Sequence, residues 1–408
     1  MLEPHHLAII LLGTLAFTAV SRRLETSLLT LPMVFTAFGW LIGQGGIELV
    51  PVHAEHAVIH HLAEITLILV LFHDASRVSL RELKKNIALP LRMLLIGMPL
   101  TILLGTLLVS GMSPAAPWSV ALLTAAILTP TDAALGQAVV TSPNVPARLK
   151  QTINVESGLN DGLALPVVMV AAIASAHLSH TAVEGLPSNI WGFTAMQVVL
   201  GPLVGIGVGY ASARVLDRVI HARWATTASQ GIYFLVTACL AFVVAEWSGG
   251  NGLIAAFIGG LVFGNTLRCS NAFIGEFMES EGQLLTMATF LIFGAVMVPM
   301  GLEHASLKTV AFAVLSLTAV RMLPIWLSLT GTGLSTYEKI FLGWFGPRGL
   351  ASILFALLFL ERFEIPGRHN IMACVVLTVM LSIVLHGVTA NPMANRFVRM
   401  GGSAGEAG

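Results

Sequence analysis

The chain has 408 residues, of which 56% are hydrophobic and 10% charged, and its 21 basic and 21 acidic side chains give zero formal net charge. Soluble domains are nearer a quarter charged, so this composition is that of a membrane protein. Zero net charge and the lack of a basic tract argue against nucleic acid or an anionic surface as a partner, and the scattered Cys239, Cys269 and Cys374 have no metal-ligand spacing and are expected to pack as small apolar residues.

Apolar runs that suit membrane spans follow one another at about 7–20, 28–43, 62–73, 87–110, 117–140, 152–176, 190–211, 227–247, 251–265, 283–300, 307–331, 337–360 and 370–390. "MLEPHHLAII" carries no Lys or Arg ahead of its apolar run, so the first is expected to be a retained span and not a cleaved signal. His5, His6, His53, His56, His60 and His61 gather in outer segments. Solvated interfacial histidines are the plainer reading there, with external pH sensing or metal binding the sharper one. Span three ends on His73 and Asp74, read as helix-end residues at the inner interface, with a gating or ion-access role as the alternative.

Span five contains "LTPTDAAL", which sets the helix breaker Pro130 two residues from Asp132 inside an apolar run. Proline frees backbone carbonyls, and at membrane depth these are tolerated only facing protein or a wet cavity. Span six opens with "INVESGLNDGLALP". On a helix Glu156 and Asn160 fall on one line, Ser157 and Asp161 on the next, and all four share a face of roughly 140°. Their carboxylate, hydroxyl and amide oxygens are hard ligands suited to an alkali cation. A carboxylate at the bilayer centre costs about 2.5–3.5 kcal/mol even on the lenient insertion scale, so two acids on one short face need partners or a task.

Span seven carries "GPLVGIGVGYASA", small residues that allow close packing without chemistry. Span eleven brings Arg321 in "LTAVRMLP", and span twelve brings Pro347 and Arg348 in "WFGPRGLAS". A carboxylate paired with one of these arginines is structural, and one left without a fixed partner near water can exchange a proton for a cation. Glu156 is assigned the paired role and Asp161 the exchange role; two salt bridges gluing helices together is the bland alternative. His386 in the last span, in "LHGVTANP", is expected to make a helix–helix hydrogen bond.

The basic residues test the span count. With the N-terminus outside, 15 of them, from Arg22 to Arg399, fall in inner loops, and only Lys308, Arg362 and Arg368 fall outside. That is the asymmetry the positive-inside rule requires, and it sets the C-terminus in the cytoplasm. The loops are short and the tail after Asn391 is too small to fold alone, so residues 1–408 are expected to form one membrane transporter domain. Spans five and twelve are each interrupted by proline and each carry one charge, Asp132 or Arg348. Their offset of seven spans is odd, which predicts inverted repeats over about 7–176 and 227–390 linked by the span at 190–211. Interrupted helices at matching places in inverted repeats point to a transport site near the midplane. Asp132 and Arg348 are suitably signed to balance the partial charges of facing half-helix ends.

"TPTDAAL" followed by "VESGLNDG" resembles the paired signature of the cation–proton antiporter-1 family, the NhaP- and NHE-type sodium–proton exchangers. "LFHDASRVSLREL", "NGLIAAFIGGLVFGN", "GPRGLAS" and "LSIVLHGVTANPMANRF" extend the resemblance, in order, over nearly the whole chain. It implies an all-α polytopic fold of the NhaA-like antiporter type, with about thirteen transmembrane helices, two of them crossed and unwound, in a homodimer of the cell membrane. By this resemblance Asp161 would bind the transported Na⁺ or the proton. Ser157, Thr131 and Asp132 would help form the site, Asn160 would support it, Glu156 would pair with Arg321, and Arg348 would stabilise the crossed helices broken at Pro130 and Pro347. Ala133 departs from the family pattern, in which proline commonly follows the aspartate.

The function this implies is secondary antiport of Na⁺, or Li⁺, against H⁺, with no enzyme activity and no cofactor; membrane lipid and the two ions are the partners. Electrogenic relatives carry a second aspartate where this chain has Asn160, which favours one cation for one proton unless Asp132 also carries protons. A K⁺/H⁺ antiporter of the same fold is the first rival. An organic-anion symporter fits poorly because "ESGLND" presents an acidic face, and a channel fits poorly because proline-broken inverted repeats favour alternating access.

Overall fold

The computed structural model describes residues 4–25, 29–50, 57–80, 88–132, 135–178, 190–268, 272–363 and 365–405. His53, His56, Ala133 and Cys269, with the inner-loop residues Arg81, Lys84 and Lys85, lie outside the described residues. Within the described residues the chain is helical and contains no strand.

The first four apolar runs form α1 (Pro4–Glu25), α2 (Leu31–Ile42), α3 (Ala57–Arg77) and α4 (Ala88–Met112). The fifth is helical only as α5 (Trp118–Ile127), loses regular structure through the Pro130 region, and resumes as α6 (Gln137–Val140). Then come α7 (Ala147–Leu178), α8 (Ile190–His221), α9 (Thr227–Trp247) and α10 (Gly252–Thr266). The tenth run gives α11 (Ala272–Ile292) and α12 (Val298–Glu303), and the eleventh gives α13 (Leu307–Leu317) and α14 (Ala319–Ser328). The twelfth is split into α15 (Thr336–Trp344) and α16 (Leu350–Arg362), and α17 (Arg368–Gly405) closes the fold. Each of the thirteen runs therefore corresponds to a helix or an interrupted pair. Among the described residues, seven helices are long and apolar enough to cross a bilayer, and five shorter apolar ones accompany them.

Local chemistry explains the boundaries. Asn251 caps α10 by accepting from the Ile254 amide at 3.0 Å, and Ser335 with Glu338 forms a capping box at the start of α15. π-helical turns at Met93–Gly97, inside α4, and Phe293–Met297, between α11 and α12, each stand just before a proline, Pro99 or Pro299. A proline has no amide hydrogen and crowds the preceding turn, so the ladder widens there without ending.

The apolar faces point two ways. Leu11, Leu15, Val199, Leu203, Val236 and Val243, on α1, α8 and α9, are exposed in a pattern suited to lipid contact. Inside, Gly201, Gly205 and Gly209 form a stripe of α8 that lies against the backbone of α10, so a methyl at Gly205 would stand 2.6 Å from the Ala255 carbonyl oxygen. Cys239 and Cys374 are free thiols packed against the apolar core. The two broken spans cross in the interior, and α7 packs against α5, α16, α3 and α10 there, which brings its polar face to the crossing.

Candidate functional site

Where the broken spans meet, the end of α5 and the start of α16 are each satisfied by the other span. The Asp132 amide donates to the Pro347 carbonyl at 2.8 Å, joining the two breaks through their backbones. At the end of α5, the Arg348 guanidinium donates to the carbonyls of Thr129 and Pro130, and Ser352 donates to that of Ile127 at 2.7 Å. At the start of α16, the Leu350 amide donates to Asp132 Oδ2 at 3.0 Å. A cation thus stands at the carbonyl end of one half-helix and an anion at the amide end of the other, which opposes both end charges. Asp132, an isolated acid in the sequence, has a backbone partner here.

The two glycines of "FGPRGLAS" are required by close approach. A methyl at Gly346 would lie 2.7 Å from the Arg321 guanidinium carbon, and one at Gly349 would lie 2.8 Å from Asp132 Cβ. Gly349→Ala should therefore push the Asp132 carboxylate off the Leu350 amide. We expect this variant to insert and assemble but to transport at least tenfold more slowly, as read by cation-driven proton movement in proteoliposomes. Wild-type rates in Gly349→Ala would show that the Asp132–Leu350 contact is dispensable.

α7 supplies the remaining groups. Arg321, from α14, donates with both terminal nitrogens to Glu156, Nη1 to Oε1 at 2.8 Å and Nη2 to Oε2 at 2.9 Å, and both residues are about 1% exposed. This is a bidentate, charge-assisted pair between residues 165 positions apart. Thr131 donates to Glu156 Oε2 at 3.3 Å, Asn160 donates to Thr131 Oγ1, and Ser157 donates to the Thr131 carbonyl at 2.6 Å. These bonds pin the unwound stretch after Pro130 to the polar face of α7.

Asp161 is the exception. It is 7% exposed, and its Oδ1 is buried without a hydrogen-bond partner, as is the amide oxygen of Asn160 beside it. Asp74, Asp132 and Glu156, acids like itself, are among the charged groups near it. A buried carboxylate among like charges, with unclaimed oxygens nearby, has the donor set that a small cation or a proton would complete. The structure thus brings Glu156, Ser157, Asn160, Asp161, Thr131, Asp132, Arg321 and Arg348 to one crossing.

Asp74, for which the sequence left a helix-end and an ion-access reading open, stands in the last turn of α3 beside His73. Its side chain is 41% exposed, and its Oδ1 lies 3.1 Å from His73 Nδ1. His386, on α17, is buried with Nε2 2.8 Å from the Trp344 carbonyl at the end of α15.

Residues 7–396 match the sequence model of a family described as sodium/hydrogen exchanger, transmembrane. The K(+)/H(+) antiporter NhaP of Alkalimonas amylolytica is 25% identical over 406 residues, 96% of this chain and 67% of that protein. The Na(+)/H(+) antiporter NhaH of Halobacillus dabanensis is 26% identical over 297 residues, 69% of each. The K(+)/H(+) antiporter NhaP2 of Shewanella oneidensis is 24% identical, over 94% of this chain and 66% of its own length. The chain thus spans about two thirds of the length of these relatives. Among solved structures, the sodium proton antiporter MjNhaP1 from Methanocaldococcus jannaschii at pH 8 superposes with a TM-score of 0.76 at 21% identity. That match covers 96% of this chain and 97% of the other, and it shows a common fold.

Proposed function

Because the chain belongs to the sodium/hydrogen exchanger family, we propose that it is a multi-pass membrane antiporter that exchanges Na⁺ for H⁺ at Asp161. The observation that carries this is the contrast between neighbouring acids on one helix face. Glu156 is locked by a bidentate arginine, and Asp161 keeps a buried oxygen with no hydrogen bond. The first cannot release its partner cheaply; the second can take either ligand. Ser157, Thr131, Asp132 and Asn160 are proposed to complete the site, Arg348 to hold the crossing, and Asp74 to attract cations toward it from the inner side.

Coupling follows from competition. A proton and a cation cannot both occupy Asp161, and an occupied, neutralised site crosses a low-dielectric barrier far more cheaply than a bare carboxylate. Asn160 cannot titrate, so one exchangeable carboxylate serves one monovalent cation, and transport is electroneutral. The N-terminus is proposed to lie outside on the asymmetry of the basic residues, and a homodimer is proposed from the family resemblance. K⁺ is the second reading, favoured by relatives named K(+)/H(+) antiporters that align with nearly the whole chain.

Proteoliposomes with an imposed pH gradient, challenged in turn with Na⁺, Li⁺ and K⁺, test the ion. The rate is expected to be insensitive to a valinomycin-set potential, whereas moving one net charge per cycle would be worth about 2.3 kcal/mol per 100 mV. It should fall at acid pH, where protons outcompete the cation, and at alkaline pH, where protons for the return step are scarce. The bell should shift as cation concentration rises. A clear dependence on potential would rule out one-for-one exchange and bring in Asp132 as a second proton carrier.

A further inference from the structure

The break between α15 and α16 is spanned from outside by α17. In an unbroken helix the amide of residue 348 would donate to the carbonyl of residue 344, four residues earlier. Here that bond is open, and two side chains one turn apart on α17 stand between its donor and its acceptor. The Arg348 amide donates to Ser382 Oγ at 2.7 Å, Ser382 Oγ lies 3.2 Å from His386 Nδ1, and His386 Nε2 lies 2.8 Å from the Trp344 carbonyl.

Hydrogen-bond bookkeeping gives the chain a direction. In the tautomer that joins the series, Nε2 carries the ring hydrogen and donates to the Trp344 carbonyl, which also accepts from the Gly346 amide at 2.7 Å. Nδ1 of the neutral ring then accepts from the Ser382 hydroxyl, which has already accepted from the Arg348 amide. The other neutral tautomer would donate to the Ser382 carbonyl, 2.9 Å from Nδ1, and would set a bare Nε2 against the Trp344 carbonyl. Each neutral tautomer sets one bare nitrogen against a carbonyl, but the first lets the Ser382 hydroxyl, having accepted from Arg348, donate onward, and its side chains are buried: Arg348 and Ser382 are 0% exposed and His386 is 1%. Trp344 is held twice more by α17: its ring stacks on His386 with centroids 5.0 Å apart, and its Nε1 donates to Thr389 at 2.9 Å.

We propose that Ser382 and His386 form a side-chain bridge that replaces the missing 348-to-344 backbone bond and holds span twelve in its broken form. The bridge fixes where the backbone of Arg348 sits, and hence whether its guanidinium reaches the Thr129 and Pro130 carbonyls at the end of α5. Both are positioning residues: neither touches Asp161, and their effect on transport rests on the site proposed above.

The test has an arm that does not depend on transport. Hydrogen–deuterium exchange of purified protein, read on peptides covering residues 343–352, should show the Arg348 amide exchanging at least tenfold faster in Ser382→Ala than in wild type. Ser382→Thr, which keeps the hydroxyl, should exchange at the wild-type rate. In the transport arm, His386→Leu should lower the maximal rate about tenfold with the apparent cation affinity within twofold of wild type. His386→Gln, whose amide can both accept and donate, should restore most of that loss. Unchanged exchange at Arg348 in both Ser382→Ala and His386→Leu would overturn the bridge, whatever the ion transported. Faster exchange with full transport in both variants would overturn the positioning role.

Discussion

Asp161→Asn is expected to reduce cation-driven proton movement to background while leaving a folded, inserted protein. The substitution keeps the shape of the side chain and removes the only property the mechanism uses, the ability to hold a proton or a cation. Its effect on stability should be neutral or favourable. Asp161 Oδ1 has no hydrogen bond to lose, and Asp74, Asp132 and Glu156, all of its own sign, are among the charged groups near it. Thermal unfolding in detergent, followed beside proteoliposome transport, separates the two outcomes. Retained exchange in a stable Asp161→Asn protein would remove this carboxylate from the mechanism. Lost exchange with lost stability would make Asp161 a structural residue and turn attention to Asp132. Asp161→Glu sharpens the result: a carboxylate moved by one methylene should transport with altered cation affinity and not fail outright.

The parts of this site that were legible in the sequence are those that depend on local spacing. Apolar runs marked the thirteen helical segments, because each span must bury its own backbone bonds. Pro130 and Pro347 marked the breaks, because a proline inside an apolar run removes a ladder bond. The spacing of Glu156, Ser157, Asn160 and Asp161 marked one helix face. What could not be read is what the fold decides at long range. Arg321 and Arg348 were equivalent candidates for Glu156 on residue chemistry alone, and only the resemblance chose between them. The Asp132 contact with Leu350 is to a backbone amide, which has no side-chain signature. Gly346 and Gly349 carry no sequence signal of their closeness to the Arg321 and Asp132 side chains, which emerges only in three dimensions. The π-helical turns before Pro99 and Pro299 had a proline as their signal, but a proline alone does not distinguish a widened turn from a kink or an end.

Glu156→Gln and Arg321→Met should each destabilise the protein by about 3–5 kcal/mol, the usual consequence of leaving one member of a buried ion pair uncompensated. The geometry places this pair at the severe end. Both side chains are about 1% exposed, the contact is bidentate, and Glu156 also accepts from Thr131, so its loss loosens the unwound stretch of span five as well. Arg321 is less fully satisfied, since its Nε is buried without a partner, so the surviving arginine in Glu156→Gln should fare worse than the surviving glutamate in Arg321→Met. A glutamate can be neutralised by taking up a proton; a guanidinium cannot. The double variant should recover much of the loss, because it buries no orphaned charge. A double-mutant cycle on thermal or denaturant unfolding measures that recovery directly. Losses that simply add would mean that the two groups are not energetically coupled despite their contact. Transport distinguishes a scaffold pair from a working one: if the double variant regains stability and exchanges ions, Glu156 and Arg321 only hold the crossing in place. If it regains stability and stays inactive, their charges shape the field in which Asp161 chooses between cation and proton.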